Sequence, residues 1–427
     1  MQKRGDASPR FLRSPAFCRL YAAPGFSVYQ PGRYNTGVKI LFAHLGREHL
    51  GVEYLSAVVR RGGHETALAL DPGLFGLNDN VFHNQRLERR FDQTRRVVRT
   101  LDREAPDLAA FTVYTSTYPW ALRMARLFKE RRPDLPIVFG GLHPTFEPAH
   151  TLANPEVDYI IRGEGEGALE DLVQALQDGE APRGIPNLGF RRRDGEPVLN
   201  PLRPLIADLD ALPFPDKALF EKDVNFRDDY IVLCSRGCPH RCTYCCENAL
   251  HRLHGPGWYR RRSPESVLRE LEPMQARYGF REVMFNDPIL LTHRAWLKTL
   301  LDGYRRRIRV PFRCFGQPAL MTDDIALMLK HSGCQCVEFG MQTVNENLKR
   351  NVLGRRETNE QARNAFTICD RHGLPFDIDH MFSLPGESAE DHALALAFYK
   401  SLRRLNRIKT HQLVYFPGTD ITRTAQD

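Results

Sequence analysis

The chain has 427 residues, 42% hydrophobic and 26% charged, with a formal net charge of +8. These proportions fit a globular protein of two or three domains and exclude a disordered or collagen-like chain. No apolar run reaches the length of a membrane span, and no apolar h-region lies near the N-terminus, which predicts a cytoplasmic protein with no membrane span and no secretory signal.

Residues 1–37 read as an N-terminal extension. Strands are predicted at 38–43, 64–70, 108–113, 137–139 and 157–161. Helices lie between them, one presenting Val52, Leu55 and Val59 on a single face. The fourth strand ends in Gly140-Gly141 and the fifth in Gly163-Glu164-Gly165. Such alternation predicts an α/β fold with a doubly wound, flavodoxin- or Rossmann-like parallel sheet over 38–178, its ligands at the carboxyl ends of the strands. Residues 179–228 are rich in proline and read as a linker, with a hairpin around Asp194-Gly195. From residue 229 to 427 six further strands are predicted, at 230–233, 282–286, 311–315, 336–340, Phe376–Phe382 and 410–416. Helices separate them, one starting at Pro264 with Ser263 as its N-cap. Six strand–helix units predict a partial (β/α)6 barrel. Arginine runs such as Arg260-Arg261-Arg262 read as solvated faces or loops, and without an aromatic-interleaved basic stripe no nucleic acid is expected.

Five of the ten cysteines lie between Cys234 and Cys246, too crowded for a disulfide framework. Cys238, Cys242 and Cys245 form a C-x3-C-x2-C loop directly after the first strand of the second half. Three thiolates hold three irons of a [4Fe–4S] cluster and leave the fourth iron open. A zinc site is the alternative, and it needs a fourth ligand from Cys234, Cys246 or His240, or the pair Cys334 and Cys336.

The stretch from Cys234 to Asn248, CSRGCPHRCTYCCEN, resembles the signature of the radical S-adenosylmethionine (SAM) enzymes. The resemblance implies that SAM chelates the open iron and is cleaved reductively to a 5′-deoxyadenosyl radical, with electrons from an external donor such as flavodoxin or ferredoxin. It also implies SAM contacts at the other strand ends, from Asn286, Asp287, Gln317, Glu338 and Gln342. For Glu338 a structural ion pair, with Arg350 as the partner, is the competing reading. Phe382 to Glu387 resembles the family's turn after the fifth strand, which reads physically as a tight turn at Gly386.

Residues 38–178 resemble the cobalamin-binding domain that precedes the barrel in one large subgroup. The resemblance places cobalamin near Thr115, Ser116, Gly140, Gly141, His143, Gly163, Glu164 and Gly165, where glycines let backbone approach a bulky ring and hydroxyls meet its nucleotide tail. The Asp-x-His-x-x-Gly motif is absent after the first strand, leaving His44, His49 and His143 as histidines for the cobalt. The implied function is a cobalamin-dependent radical SAM enzyme methylating an unactivated carbon of a small molecule. An oxidative cyclase or rearrangement enzyme of the same architecture and a non-catalytic cobalamin or redox sensor are the alternatives. A tRNA methylthiotransferase is disfavoured, since residues 19–233 hold no cysteine. No catalytic side chain is assigned from sequence. The chain stops eleven residues after Phe416, short of the C-terminal helical region common in relatives, which suggests a minimal enzyme or a truncated one.

Overall fold

The computed structural model describes residues 37–74, 84–192 and 194–426; the predicted extension, apart from Gly37, and Cys18 lie outside the described residues. The first half is one sheet of seven strands. These are β1 (Lys39–Leu45), β2 (Glu65–Asp71), β3 (Leu108–Thr112), β4 (Ile137–Gly140), β5 (Tyr159–Ile161), β6 (Leu188–Arg191) and β7 (Pro197–Leu199), in the order β2-β1-β3-β4-β5-β6-β7. The first five are parallel; β6 and β7 form the expected hairpin and add antiparallel to the β5 edge.

Burial explains this sheet. Leu41, Ala43, Ala109, Phe111, Ile137 and Phe139 pack on one face with Val97, Leu101, Met124 and Phe128. Ile40, Phe42, Leu108, Ala110 and Val138 pack on the other with Val52, Val59, Leu169 and Leu172. Side chains alternate along each strand, so both faces need a helical layer, and doubly wound topology supplies one. The strand order reverses between β1 and β3, which opens a crevice at their carboxyl ends.

The second half has six parallel strands in strictly sequential order: β8 (Asp229–Val232), β11 (Glu282–Phe285), β12 (Phe312–Gly316), β13 (Cys334–Gln342), β14 (Phe376–Phe382) and β15 (Leu405–Gln412). A short ribbon, β9 (Ser235–Arg236) with β10 (Arg260–Arg261), stands apart from it. Sequential order with right-handed crossovers places all the helices on one side, as in a barrel wall. One apolar cluster lies there, holding Tyr230, Phe285, Phe312, Val337, Phe339, Phe376 and Ile378 with helix residues such as Leu268, Leu300 and Phe366. The sheet is open between β8 and β15, a partial barrel.

Two expectations need correction. The sixth strand lies at Leu405–Gln412 rather than 410–416. Arg260, Arg261 and Arg262 are not solvated: Arg262 is buried against Glu270 at 2.5 Å, Arg260 pairs with Glu164 at 2.9 Å, and Arg261 lies over the Tyr259 and Trp296 rings.

Candidate active site

Groups other than thiols anchor the loop after β8. Asp287, buried just past β11, accepts the Cys234 N–H at 3.1 Å and the Ser235 hydroxyl at 2.5 Å. Burial raises its pKa, opposed by those same hydrogen bonds. The β9–β10 ribbon makes the intervening segment leave and return at one place. Gly237 has φ +83°, and a Cβ on it would stand 2.5 Å from the Trp258 carbonyl oxygen. Only glycine fits there.

Cys238, Cys242 and Cys245 are free thiols on this loop. Burial pushes the Cys238 thiol up to about 12, opposed by the His240 N–H and reinforced by Cys245 and Cys242. Burial pushes Cys245 up to about 11, opposed by the Glu247 N–H and reinforced by Cys242. Cys242 is also raised by burial, with the Arg355 cation opposing. Cys238 thus feels both of the other thiols, and Cys245 feels Cys242. Cys245 is the N-cap of the helix Cys246–His254, so that helix's positive end adjoins the thiols. Thiols held neutral by burial and supplied with N–H groups suit a metal cluster that displaces their protons. Of the donors for a zinc alternative, His240 and Cys246 adjoin the three thiols in sequence, and the others lie in the core or at the far end of the sheet. Cys234 belongs to the core, and Cys334 and Cys336 open β13 at the opposite end of the sheet.

Arg355 completes the loop's support and carried no sequence signal. Its guanidinium donates to the Gly340 carbonyl at 2.6 Å, Glu357 at 2.5 Å and the Tyr244 hydroxyl at 3.1 Å. It joins the cysteine loop to β13.

The strand pattern sorts the predicted SAM residues. Residues 337, 339 and 341 of β13 face the helices, so Glu338, Gly340 and Gln342 face the opposite, inner side. By the same alternation Gln317 after β12 and Asn286 after β11 share that side. Gln317 reaches His240 on the cysteine loop, and Asn286 is exposed, its N–H tied to Val232 O at 2.9 Å. Gln342 has φ +62° at a register shift between β13 and β14, and its Oε1 is buried without a partner. Such a strained, unsatisfied group suits a ligand site. Glu338 pairs with Lys409 of β15 rather than with Arg350. Asp287 falls on the other parity and lies beneath the loop.

At the switch point of the first sheet His49 receives the Val52 N–H on Nδ1 at 3.2 Å and sits 2.8 Å from the Tyr114 hydroxyl through Nε2. Both its nitrogens are occupied. His44 is buried in β1 against His49 and Phe220, and burial lowers its pKa to about 3. His143 is 3.3 Å from the Thr115 hydroxyl through Nδ1, lies on the Tyr118 ring at 3.9 Å, and keeps a buried Nε2 without a partner. Ser116 is exposed on the same loop. Gly140 and Gly141 end β4; Gly141 has φ +103°, and a Cβ there would stand 2.8 Å from Val113 O. The orphaned imidazole nitrogen and the bare backbone fit a large polar ligand in the crevice. Glu164 is committed elsewhere: it accepts from Arg236 at 2.9 Å, Arg260 at 2.9 Å and the Ile206 N–H at 2.8 Å. Gly163 abuts His254, and Gly165 abuts Leu55.

The carboxyl ends of the two sheets meet. A Cβ on Gly163 would stand 2.6 Å from the His254 ring, and one on Gly418 would stand 2.5 Å from Phe146. Cys246, next to the cysteine loop, is close enough to raise the Tyr114 pKa, secondary to burial. The B12 binding domain family matches residues 40–173, and the Radical SAM superfamily matches residues 232–398. The chain belongs to the cobalamin-binding radical SAM enzymes. An uncharacterized methyltransferase of Pyrococcus horikoshii is 27% identical over 358 residues, 83% of this chain and 73% of that protein. The anaerobic magnesium-protoporphyrin IX monomethyl ester cyclase of Rubrivivax gelatinosus is 26% identical over 79% of this chain, which spans 59% of that relative's length. The fold is that of the radical S-adenosylmethionine methyltransferase TsrM of Kitasatospora setae, solved with cobalamin and a [4Fe–4S] cluster. The TM-score is 0.71 at 19% identity, covering 90% of this chain and 77% of that one. Among the described residues no helix is long and apolar enough to cross a membrane.

Proposed function

We propose that this cobalamin-binding radical SAM enzyme methylates an unactivated carbon of a small molecule. The observation that carries the proposal is the apposition of the two carboxyl-end rims, which brings the cysteine loop beside the switch-point crevice. When bound, the cluster with SAM supplies a hydrogen-abstracting radical, and cobalamin supplies a methyl group. This chain's residues hold and shield these groups. Cys238, Cys242 and Cys245 are the proposed cluster ligands. Asn286, Gln317, Glu338 and Gln342 offer polar atoms to SAM on the inner face, and Asp287 positions the loop from below. Thr115, Ser116, Gly140, Gly141 and His143 line the proposed cobalamin crevice, and Gly163, Glu164 and Gly165 form the joint beside it. In this reading residues 38–178 and those from 229 onward are the two cofactor-bearing units, with 179–228 adding β6 and β7 to the first sheet and then connecting the two. The enzyme works in the cytoplasm with a flavodoxin- or ferredoxin-type donor.

Anaerobic reconstitution with iron, sulfide and hydroxocobalamin, then incubation with methyl-labelled SAM and reductant, tests this. The expected result is bound cobalamin together with 5′-deoxyadenosine, and label in product once a substrate is found. The similarity to a cyclase supports the second reading, an oxidative ring closure. It predicts deoxyadenosine with no label transferred. Neither cofactor activity from a folded, cluster-loaded chain would favour a sensor.

A further inference from the structure

His380, Glu387 and His392 offer three ligand atoms that all lie within 4.8 Å of one another, and none of them belongs to the cysteine loop. His380 lies two residues before the end of β14, Glu387 lies after that strand, and His392 stands in the first turn of the helix Ala389–Lys400. Each is already aimed. His380 has Nδ1 2.9 Å from the Tyr399 hydroxyl, which leaves Nε2 for the cluster. Glu387 accepts the Leu384 N–H through Oε2 at 3.1 Å, which leaves Oε1. Glu387 Oε1 and His392 Nδ1 are both buried without a hydrogen-bond partner. They are 3.8 Å apart, and the Glu387 side chain is only 5% exposed. Buried polar atoms without partners are costly unless something satisfies them.

We infer that His380, Glu387 and His392 form a second metal site, for a divalent transition ion of the zinc class. Two imidazoles and a carboxylate are a zinc ligand set, and a fourth, open position can take water. Bonds of about 2.0–2.1 Å place tetrahedral ligands about 3.3 Å apart, so the 3.8 Å pair needs only a small closure. The His380–Tyr399 contact has the form of the outer hydrogen bonds that orient metal-binding imidazoles. A bound ion would tie the end of β14, its turn and the next helix together on the helix side of the sheet. The site uses none of the residues assigned to the cluster or to cobalamin.

The test uses the full-length, cluster-loaded protein, stripped of loose metal with a chelator and titrated with Zn2+, then with Co2+. The expected result is one zinc per chain beyond the cluster iron and a Co2+ d–d spectrum without sulfur charge transfer. His392→Ala, at a side chain 41% exposed and thus tolerant of truncation, should abolish both while leaving cluster iron unchanged. Tyr399→Phe should weaken zinc by about 10–100-fold. Equal zinc in the parent and His392→Ala would overturn the site, as would Co2+ bands of thiolate character. No zinc at all would overturn it too, leaving only the contact between the His392 ring and the Glu387 carboxyl. Loss of SAM cleavage would bear on the proposed function alone, since the metal count is read independently of turnover.

Discussion

Arg355 shows what a single side chain does for the cysteine loop. Its partners Tyr244, Gly340 and Glu357 belong to three segments, and Glu357 has a side chain only 2% exposed. Arg355→Met would strand that carboxylate in the interior, a loss of about 3–5 kcal/mol for a broken buried pair. Urea unfolding should show it, with reduced iron per chain even though every cysteine remains. The thiols make a sharper prediction. Cys238→Ala, Cys242→Ala or Cys245→Ala should each abolish cluster absorbance and SAM cleavage. Cys234→Ala and Cys246→Ala should keep both, and equal loss at Cys234 would sink the assignment. These residues differ in legibility for a physical reason. The cysteines announce themselves because one loop carries all three ligands. Arg355 is 111 residues from Tyr244, and no local pattern encodes such a contact. Glu338 shows the same limit: its cation is Lys409, 71 residues away, not the nearer Arg350.

At the scale of elements, periodicity revealed the strands that are buried. β1 and β14 each bury apolar side chains in their helix-facing layers, and the sequence marks them plainly. β15 reads Leu-Asn-Arg-Ile-Lys-Thr-His-Gln, because an edge strand pairs on one side only and can stay polar and exposed. The apolar residues 413–416 that follow it attracted the prediction but lie past the strand. Arg260–Arg261 misled in the opposite sense, since composition cannot see the carboxylates that neutralise buried cations. The glycine at the mouth of the cysteine loop gives this scale its test. Gly237→Ala must hold φ near +83° and clear a backbone carbonyl at 2.5 Å. The left-handed conformation alone costs about 1–2 kcal/mol. Carbonyls cannot rotate away as side chains do, so the β9–β10 ribbon must distort. Iron incorporation should fall well below that of an alanine variant at Gly255, which also has a positive φ, +75°, but whose Cβ would meet nothing within 4 Å. Equal loading of the two variants would show that the ribbon does not set the loop.

Across the whole molecule, the two halves are joined by charge as well as by rim contacts. Lys217, 1% exposed, is the hub of one such joint. Its ammonium pairs with Glu48 and, at 3.0 Å, with Glu53, and donates to Ile231 O of β8 at 3.0 Å. It therefore ties the first sheet's helix, the connecting segment and the strand that leads into the cysteine loop. One cation between two buried carboxylates cannot neutralise both. Burial, with Glu48 adding to it and Lys217 opposing, pushes Glu53 up to about 8. An unfolded glutamate titrates near about 4.3. Between these values the folded chain holds a proton that the unfolded chain has released. Stability from this site is therefore present at low pH and lost as pH rises toward 8. Glu53→Gln keeps the shape and removes the titration. It should flatten the fall in unfolding free energy between about pH 5 and about pH 8, with its largest relative gain at the alkaline end. Lys217→Met should do the reverse: it leaves Glu48 without its cation and lowers stability most at alkaline pH, by about 3–5 kcal/mol. Because Lys217 also holds β8, its loss should loosen the rim contacts as well. Faster proteolysis within 179–228, with the cysteines untouched, is the expected outcome. An unchanged cleavage rate would mean that Gly163 on His254 and Gly418 on Phe146 hold the halves together without the buried charge.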